Sequence, residues 1–383
     1  MRRNRKDTIT EVISDTNIGG AGILLSSIVG SLADEFNFEI ILPRGSELYS
    51  RLPRGVKITE LQISKDESFS PRDILTFAKH LAATRPTVLH SHASLTSRIA
   101  ARLTSVPVLI STRHCSRTDR ELIKRSYLRS FAYRLFTDIT VSTADRATED
   151  LILEGVPKNR IITIKNGSPD LKKRITGMDM SVYDELEIPK DAIILGSVAR
   201  LERVKGQDVI LRAAREIVKR FPNVYFLFAG DGKEKENYRK LSSKLGVDNR
   251  AIFIGYTPHP ERYQSVFYIN LNASRGTETS CLATSEAMSL GIPTVASDFG
   301  GNCEMIQSGI NGFTFPKDNH YAMADRIADI LSSKKLHEAL SYGARLTYEE
   351  KFSLDAMADS YRNLYSSLLS CGKTAEKRRL IGY

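Results

Sequence analysis

The sequence predicts an α/β protein built as two doubly wound, Rossmann-like units in tandem. Three observations carry this. Short apolar runs alternate with amphipathic segments, the pattern of parallel strands covered by helices on both faces. A chain of 383 residues is too long for one ordinary core. The alternation lapses once, over a charged stretch, and then restarts.

In the first half "TITEVIS" reads as the first strand and "FEIILP" as the second. "TVLHSH", "VPVLIST", "DITVST" and "RIITIKNG" are further strands. Between them lie helical stretches such as "SPRDILTFAKHLAATRP", where Ile74, Phe77, Ala78 and Leu81 recur at helical spacing. The looser stretch from Ser168 to Lys190 is charged and proline-edged, and reads as a linker. Then "AIILGSVAR" opens the second set of strands, joined by "VYFLFAGDG", "AIFIGY" and "TVAS". "KGQDVILRAAREIVKRFP" is a helix with Ile210, Ala213, Ala214 and Ile217 on one face. The expected domains are residues 1–170, a linker over 171–190 and a second domain over 191–354. Two such sheets facing each other enclose a cleft, and ligands of open α/β sheets bind beyond the carboxyl ends of the strands.

Composition excludes several classes. The chain is 41% hydrophobic and 26% charged, as soluble globular proteins are. Cys115, Cys281, Cys303 and Cys371 form no CxxC pair, which argues against a zinc site or a disulfide framework and for a reducing cytoplasm. The start "MRRNRKDTITEVISD" has no apolar core, so it is not a secretory signal. No run reaches the roughly 18 to 20 apolar residues of a membrane span. The net charge of +10 falls almost wholly on residues 1–175. Such a basic half attracts anions, but without interleaved aromatics it does not read as a nucleic-acid groove. Its stretch Arg117 to Phe136 fits either a solvated helix or a peripheral contact with an anionic membrane.

Several residues carry chemistry. "DTNIGGAG", Asp15 to Gly22, lies between a strand and a helix, where glycines let a backbone approach a phosphate. As a dinucleotide fingerprint it is defective, since the third glycine and the ribose-binding acid are missing. Arg200 and Lys205 in "SVARLERVKGQD" converge on a strand-to-helix corner and suit a diphosphate. "RGTETSCLATSEAMSLGIP" sets Glu278 before a helix and Glu286 inside it, with helix N–H groups near Ser280 to Leu282 available to an anion. Carboxylates there suit sugar hydroxyls; on their own, a capping Glu278 and a solvated Glu286 explain them equally well. His92 and His114 stand at adjacent strand ends, without a cysteine or carboxylate at ligand spacing, and no Asp-x-Asp is present. No metal is expected.

Together, "SVARLERVKGQDVIL", "FLFAGDGKEKENYRKLSSKLGV", "AIFIGY" and "ETSCLATSEAMSLGIPTVASDFGGNCEMIQSGINGFTFP" resemble the family 4 retaining glycosyltransferases of the GT-B fold (glycosyl transferases group 1). The first half matches more loosely, through the glycine loop, "VLHSH" and "STRH". "KFSLDAMADSYRNLYSSLL" looks like the family's last helices, which implies that a helix over about 355–383 packs back on the first domain. The resemblance implies a hexosyltransferase that uses a nucleotide-sugar donor of UDP or GDP type, without a metal or other cofactor. It implies that Glu278 contacts donor-sugar hydroxyls and Glu286 the ribose. Arg200 and Lys205 bind the diphosphate, Gly255 and Tyr256 lie near the base, and Gly19 and Gly20 meet the phosphates or the acceptor. His114 lies near the transferred sugar, so His114, Arg200, Lys205 and Glu278 form the implied catalytic set. Thr279, Ser280, Cys281 and Leu282 line the diphosphate, and Asn17, His92 and Arg113 face the acceptor side. The chain departs from the family at "TSC", where glycines are common. The acceptor is expected to be a sugar, a lipid-linked or a phosphorylated molecule in cell-surface polysaccharide, lipopolysaccharide or glycolipid synthesis, with the enzyme in the cytoplasm or at the membrane's inner face. A nucleotide-sugar 2-epimerase and a non-catalytic nucleotide-sugar-binding protein are the alternatives.

Overall fold

The computed structural model describes residues 7–16, 19–92, 94–114, 127–175, 177–276 and 281–370. It has two compact units, Met1–Asn166 with Asp355–Tyr383, and Gly167–Leu354.

The first unit is a seven-stranded parallel sheet of β1 (Thr8–Ile13), β2 (Asn37–Pro43), β3 (Lys57–Leu61), β4 (Val88–His92), β5 (Val108–Arg113), β6 (Ile139–Ser142) and β7 (Ile161–Thr163). The strand order is β3-β2-β1-β4-β5-β6-β7. The winding reverses between β1 and β4, where a crevice opens at the carboxyl ends. Helices cover both faces, so the central strands are buried on both sides; in β1 even Thr10 and Glu11 are fully buried. The helix Ile74–Thr84 packs Phe77 and Leu81 against Val12, Leu89 and Leu109, with Ile74 and Ala78 alongside. The helix Leu354–Ser370 belongs to this unit from Asp355 onward and buries Tyr361 and Tyr365 one turn apart on one face.

The second unit is a six-stranded parallel sheet of β8 (Ile193–Val198), β9 (Val224–Ala229), β10 (Ala251–Gly255), β11 (Phe267–Asn272), β12 (Thr294–Ser297) and β13 (Gly312–Phe315), in the order β10-β9-β8-β11-β12-β13. Its core joins Leu195, Phe226, Phe228, Ile269 and Val295 to the helix Gln207–Arg220, which buries Ile210, Ala213, Ala214 and Ile217. The stretch 171–190, read from sequence as a linker, is part of this unit. It holds the helix Ser181–Glu185, whose Val182 and Tyr183 enter a core cluster with Ile194 and Phe267. Just before it, Asp170 takes hydrogen bonds of 2.7 and 2.8 Å from Arg345. Charged side chains on its outer face make the segment read as looser than it is.

Three strands escape the sequence reading. β3 is a half-exposed edge strand, "KITEL", and β11, "FYINLN", carries two asparagines inside an otherwise apolar run. β13 has four residues. No helix among the described residues is long and apolar enough to cross a membrane.

Candidate functional site

In the first unit the candidate residues collect at the carboxyl ends of β1, β4 and β5. Gly19 is the N-cap of the helix Gly20–Leu32, with no side-chain cap, and a Cβ on Gly19 or Gly20 would meet no atom within 4 Å. The helix start is therefore open, as an anion or a hydroxyl-rich ligand requires. Asn17 lies outside the described residues.

Register explains the histidines. β1 and β4 run parallel with Glu11 beside His90 and Ile13 beside His92, so His90 and His92, two apart on one strand, point to the same face as Glu11. His92 Nε2 lies 2.9 Å from Glu11 Oε2, and His92 Nδ1 lies 2.8 Å from His114 Nε2. The rings of His90, His92 and His114 stack in series, with centroids 4.7 and 5.0 Å apart. Tyr365 donates to Glu11 Oε1 at 2.7 Å and lies 2.8 Å from His90 Nδ1; His90 Nε2 lies 2.6 Å from Thr112 Oγ1. Burial opposes ionisation of Glu11, but the attraction and hydrogen bonds of His90 and His92 outweigh it and hold the carboxyl well below the ordinary carboxylate range. Burial, then repulsion among the rings, lowers His114 well below the ordinary imidazole value; burial also lowers His92. Donor atoms of Glu11, His90 and His92 lie within 4.8 Å of one another. Each also joins a hydrogen bond inside the group.

Sequence reading singled out His92 and His114 but missed Glu11, His90 and Tyr365. The missed signal was that the first strand of a doubly wound sheet is central, so a carboxylate on it is buried and must find donors. Arg113, assigned to the acceptor side, makes two hydrogen bonds to Glu154 at 3.1 and 3.3 Å, and Glu154 is fully buried.

In the second unit the candidates lie at the carboxyl ends of β8, β10 and β11. Arg200 follows β8, with an exposed guanidinium held only at the surface by Glu202 at 2.8 Å. Its loop is locked through the backbone. Leu201 N donates to Asp231 O at 2.9 Å, Arg275 N to Val204 O at 2.8 Å, and Gln207 Nε2 to Arg200 O at 3.0 Å. Gly206 closes the turn after Lys205 at φ +71°, and a Cβ there would stand 2.0 Å from Ala273 O. Gly232 likewise admits Leu201 O at a distance of 2.4 Å from where a Cβ would be. The two cationic side chains thus leave a rigid corner. Gly255 ends β10, and Tyr256 after it is 73% exposed.

Glu278, Thr279 and Ser280 lie outside the described residues. Cys281, in extended backbone, is the N-cap of the helix Leu282–Ser289, which has no side-chain cap. Glu286 lies one turn inside this helix, half-buried. Burial raises its carboxyl to about 7, helped by Glu261 and opposed by Arg174. Its environment therefore differs from that of a solvated helical glutamate.

The basic stretch from Arg117 is described only from Tyr127 onward, as the helix Tyr127–Phe136, on which Phe131 and Leu135 are exposed.

Comparison with known proteins agrees with this geometry. Residues 18–169 match the model of Glycosyltransferase Family 4, and residues 183–347 that of Glycosyl transferases group 1. The O-antigen biosynthesis glycosyltransferase WclY of Escherichia coli is 25% identical over 370 residues, 94% of this chain and 98% of that protein. The N-acetyl-alpha-D-glucosaminyl L-malate synthase of Bacillus anthracis is 24% identical over 63% of this chain and 68% of its own. Among solved structures, Anabaena Alr3699/HepE in complex with UDP superposes with a TM-score of 0.78 at 18% identity, over 95% of this chain and all of that one. A glycosyltransferase from Rickettsia africae ESF-5 gives 0.80 at 19% identity, over 96% of this chain and all of that one.

Proposed function

Because the chain belongs to the family 4 glycosyltransferases of the GT-B fold, we propose that it moves a hexose, with retention at the anomeric carbon, from a UDP-type donor to a hydroxyl of a growing surface glycan. Glycosyl transfer in polysaccharide or lipopolysaccharide synthesis is the coarser statement and holds for the chain as such. Three points support the finer one. The relative that spans nearly the whole chain is an O-antigen glycosyltransferase. Solved neighbours of the same fold carry UDP, UDP with glucose, and UDP-glucose. The single observation that carries the reading is that the locked corner bearing Arg200 and Lys205, the exposed Tyr256 and the uncapped start of the helix Leu282–Ser289 all lie at the carboxyl-end edge of one parallel sheet.

In this reading the diphosphate leaves while Arg200, Lys205 and the helix N–H groups meet its growing negative charge, so that no metal is needed there. Tyr256 lies under the base, and Glu286 accepts from the ribose hydroxyls. Glu278 accepts from hydroxyls of the donor sugar, with Thr279 and Ser280 at the diphosphate. The acceptor hydroxyl attacks from the face the diphosphate leaves and passes its proton to a phosphate oxygen. Gly19, Gly20 and His114 serve the sugar and acceptor from the first unit. A lipid-linked acceptor and a peripheral membrane contact through the helix Tyr127–Phe136 belong to the same proposal.

The test is a thermal-shift screen of UDP-, GDP- and ADP-sugars, followed by product analysis with any donor that binds. A donor at 100 times its Kd adds about 2.7 kcal/mol of stability. Stabilisation by a UDP-sugar and an axial-to-axial product are expected. A donor sugar epimerised without acceptor refutes transfer, and stabilisation by GDP- or ADP-sugars alone refutes the UDP assignment.

A further inference from the structure

Two strands of the second unit end on polar side chains that the core encloses. Asn272 ends β11, Ser297 ends β12, and Asn302 opens the short helix Asn302–Met305. All three are buried, and so is Ser274. A buried polar group is costly unless it is paired. Here the pairs close a ring. Ser274 N donates to Asn272 Oδ1 at 3.1 Å. Asn272 Nδ2 donates to Asn302 Oδ1 at 3.0 Å and, at the longer distance of 3.4 Å, to Thr284 Oγ1. Asn302 Nδ2 donates to Ser297 Oγ at 3.1 Å, and Ser297 Oγ donates to Ser274 O at 2.5 Å. The ring starts on a backbone N–H and ends on a backbone carbonyl, and neither can exchange its role. That fixes which way round both amides lie and where the hydroxyl proton points.

The ring grips two successive peptide groups, and each meets the turn of Lys205 with its other end. The Ala273–Ser274 peptide gives its N–H to the ring, while its carbonyl oxygen would stand 2.0 Å from a Cβ on Gly206. The Ser274–Arg275 peptide gives its carbonyl to Ser297, while its N–H donates to Val204 O at 2.8 Å. One residue on, a Cβ at Gly276 would stand 2.7 Å from Val204 Cβ. Val204 and Gly206 are the chain neighbours of Lys205. A peptide group is planar, so its N–H and its carbonyl turn together, and a ring that fixes one end aims the other. The side chain of Arg275 also ties this segment to Asp208 and Asp318, each at 2.8 Å, so loss of one ring bond loosens the segment without releasing it. We propose that Asn272, Ser297 and Asn302 are positioning residues of the donor site: their ring holds the segment Ala273–Gly276 and through it sets where Lys205 meets a diphosphate. This rests on the glycosyl-transfer reading of that corner. The three side chains act through Lys205 and touch no phosphate themselves.

The experiment has two arms, both on the full chain. The first needs no ligand: native-state amide hydrogen exchange, read by NMR, of Ser297→Ala, Asn302→Ala and the double variant. In Ser297→Ala the amide of Arg275 should exchange roughly tenfold faster or more, the weight of one buried hydrogen bond, with the amides of β9 unchanged. The double variant should fall short of the two single effects combined, because both act on one ring. An unaltered Arg275 amide in folded Ser297→Ala overturns the proposal, and so does full additivity. The second arm is titration with UDP and with uridine, which lacks the phosphates. Affinity for UDP should fall about tenfold in Ser297→Ala, and affinity for uridine should stay as it was. An equal loss of both, the mark of a merely structural role, overturns the proposal, as does an unchanged affinity for UDP. A wild type that binds no UDP removes the glycosyl-transfer reading instead, and the exchange of Arg275 then decides the positioning alone.

Discussion

Replacing Glu286 with Gln should make the protein more stable and a poorer binder of its donor, with both effects growing as pH rises. The side chain is half-buried, and its carboxyl is raised from 4.5 to about 7, chiefly by burial and then by Glu261 against Arg174. A carboxyl whose folded pKa is raised contributes stability that is full below the unfolded value and is lost as pH climbs to the folded value. At 1.36 kcal/mol per pH unit, the loss between pH 4.5 and pH 7 is about 3 kcal/mol, an upper bound because solvent reaches part of the group. Glutamine has nearly the same shape and nothing to ionise. The variant should thus gain up to about 1 kcal/mol over the parent at pH 5.5 and up to about 3 kcal/mol at pH 8. For a unit of this size 1 kcal/mol is about 2 to 4 °C, so the two Tm differences should stand roughly 4 to 8 °C apart. Calorimetry of parent and variant across that range reads this directly. Isothermal titration supplies the other half: donor affinity of the parent should rise from pH 6 to pH 8, as a carboxylate becomes available to the ribose, and that of the variant should stay flat. A gain in Tm that is equal at both pH values, or absent at pH 8, refutes the reasoning.

Arg200→Ala should lower kcat/KM about a hundredfold or more while shifting Tm by less than a degree or two, because the guanidinium is exposed and its partner Glu202 is at the surface. Near-normal transfer would remove it from the diphosphate site. Gly206→Ala forces a side chain into backbone at Ala273 and into a left-handed conformation, so denaturant unfolding should show a loss of more than 1 kcal/mol, together with a raised KM for donor as Lys205 moves. Tyr256→Ala should weaken UDP-sugar binding by roughly 1 to 3 kcal/mol through lost stacking on the base and leave the fold unchanged; equal affinity by titration would place the base elsewhere.

Most of the architecture was legible because parallel strands buried on both faces write themselves as apolar runs. "AIILGSVAR" and "VYFLFAGDG" became β8 and β9, each strand ending two or three residues earlier than read. β3 was not, since an edge strand with a lysine and a glutamate buries little. The stretch 171–190 misled for the converse reason: a few buried residues, Val182 and Tyr183 among them, hold a charged segment in place, and composition averages them away. Spacing placed Arg200 and Lys205 between a strand and a helix and Glu286 inside a helix, and the structure has them after β8, before the helix Gln207–Arg220 and within the helix Leu282–Ser289. What spacing could not reveal is cross-strand adjacency. Glu11 and His90 are neighbours only through the β1–β4 register, far apart in sequence, and Tyr365 comes from the far end of the chain. "TITEV" read by itself is an alternating strand with a solvent face, and only a second covered face turns Glu11 inward.

The helix Leu354–Ser370 has a consequence for biosynthesis. It completes a unit whose other residues end at Asn166, with the whole second unit encoded in between. On a chain made from its amino end, the later-encoded unit has all its parts first, while the earlier one waits for its closing helix. Until then Glu11 lacks the hydroxyl of Tyr365, and the face of the sheet that takes Tyr361 and Tyr365 stays open to water. Maturation therefore runs opposite to the order of the gene. A nascent chain stalled short of residue 354 carries one unit nearly complete and one that lacks its closing helix, and a fragment ending near Asn166 should be less soluble than the fragment 167–354.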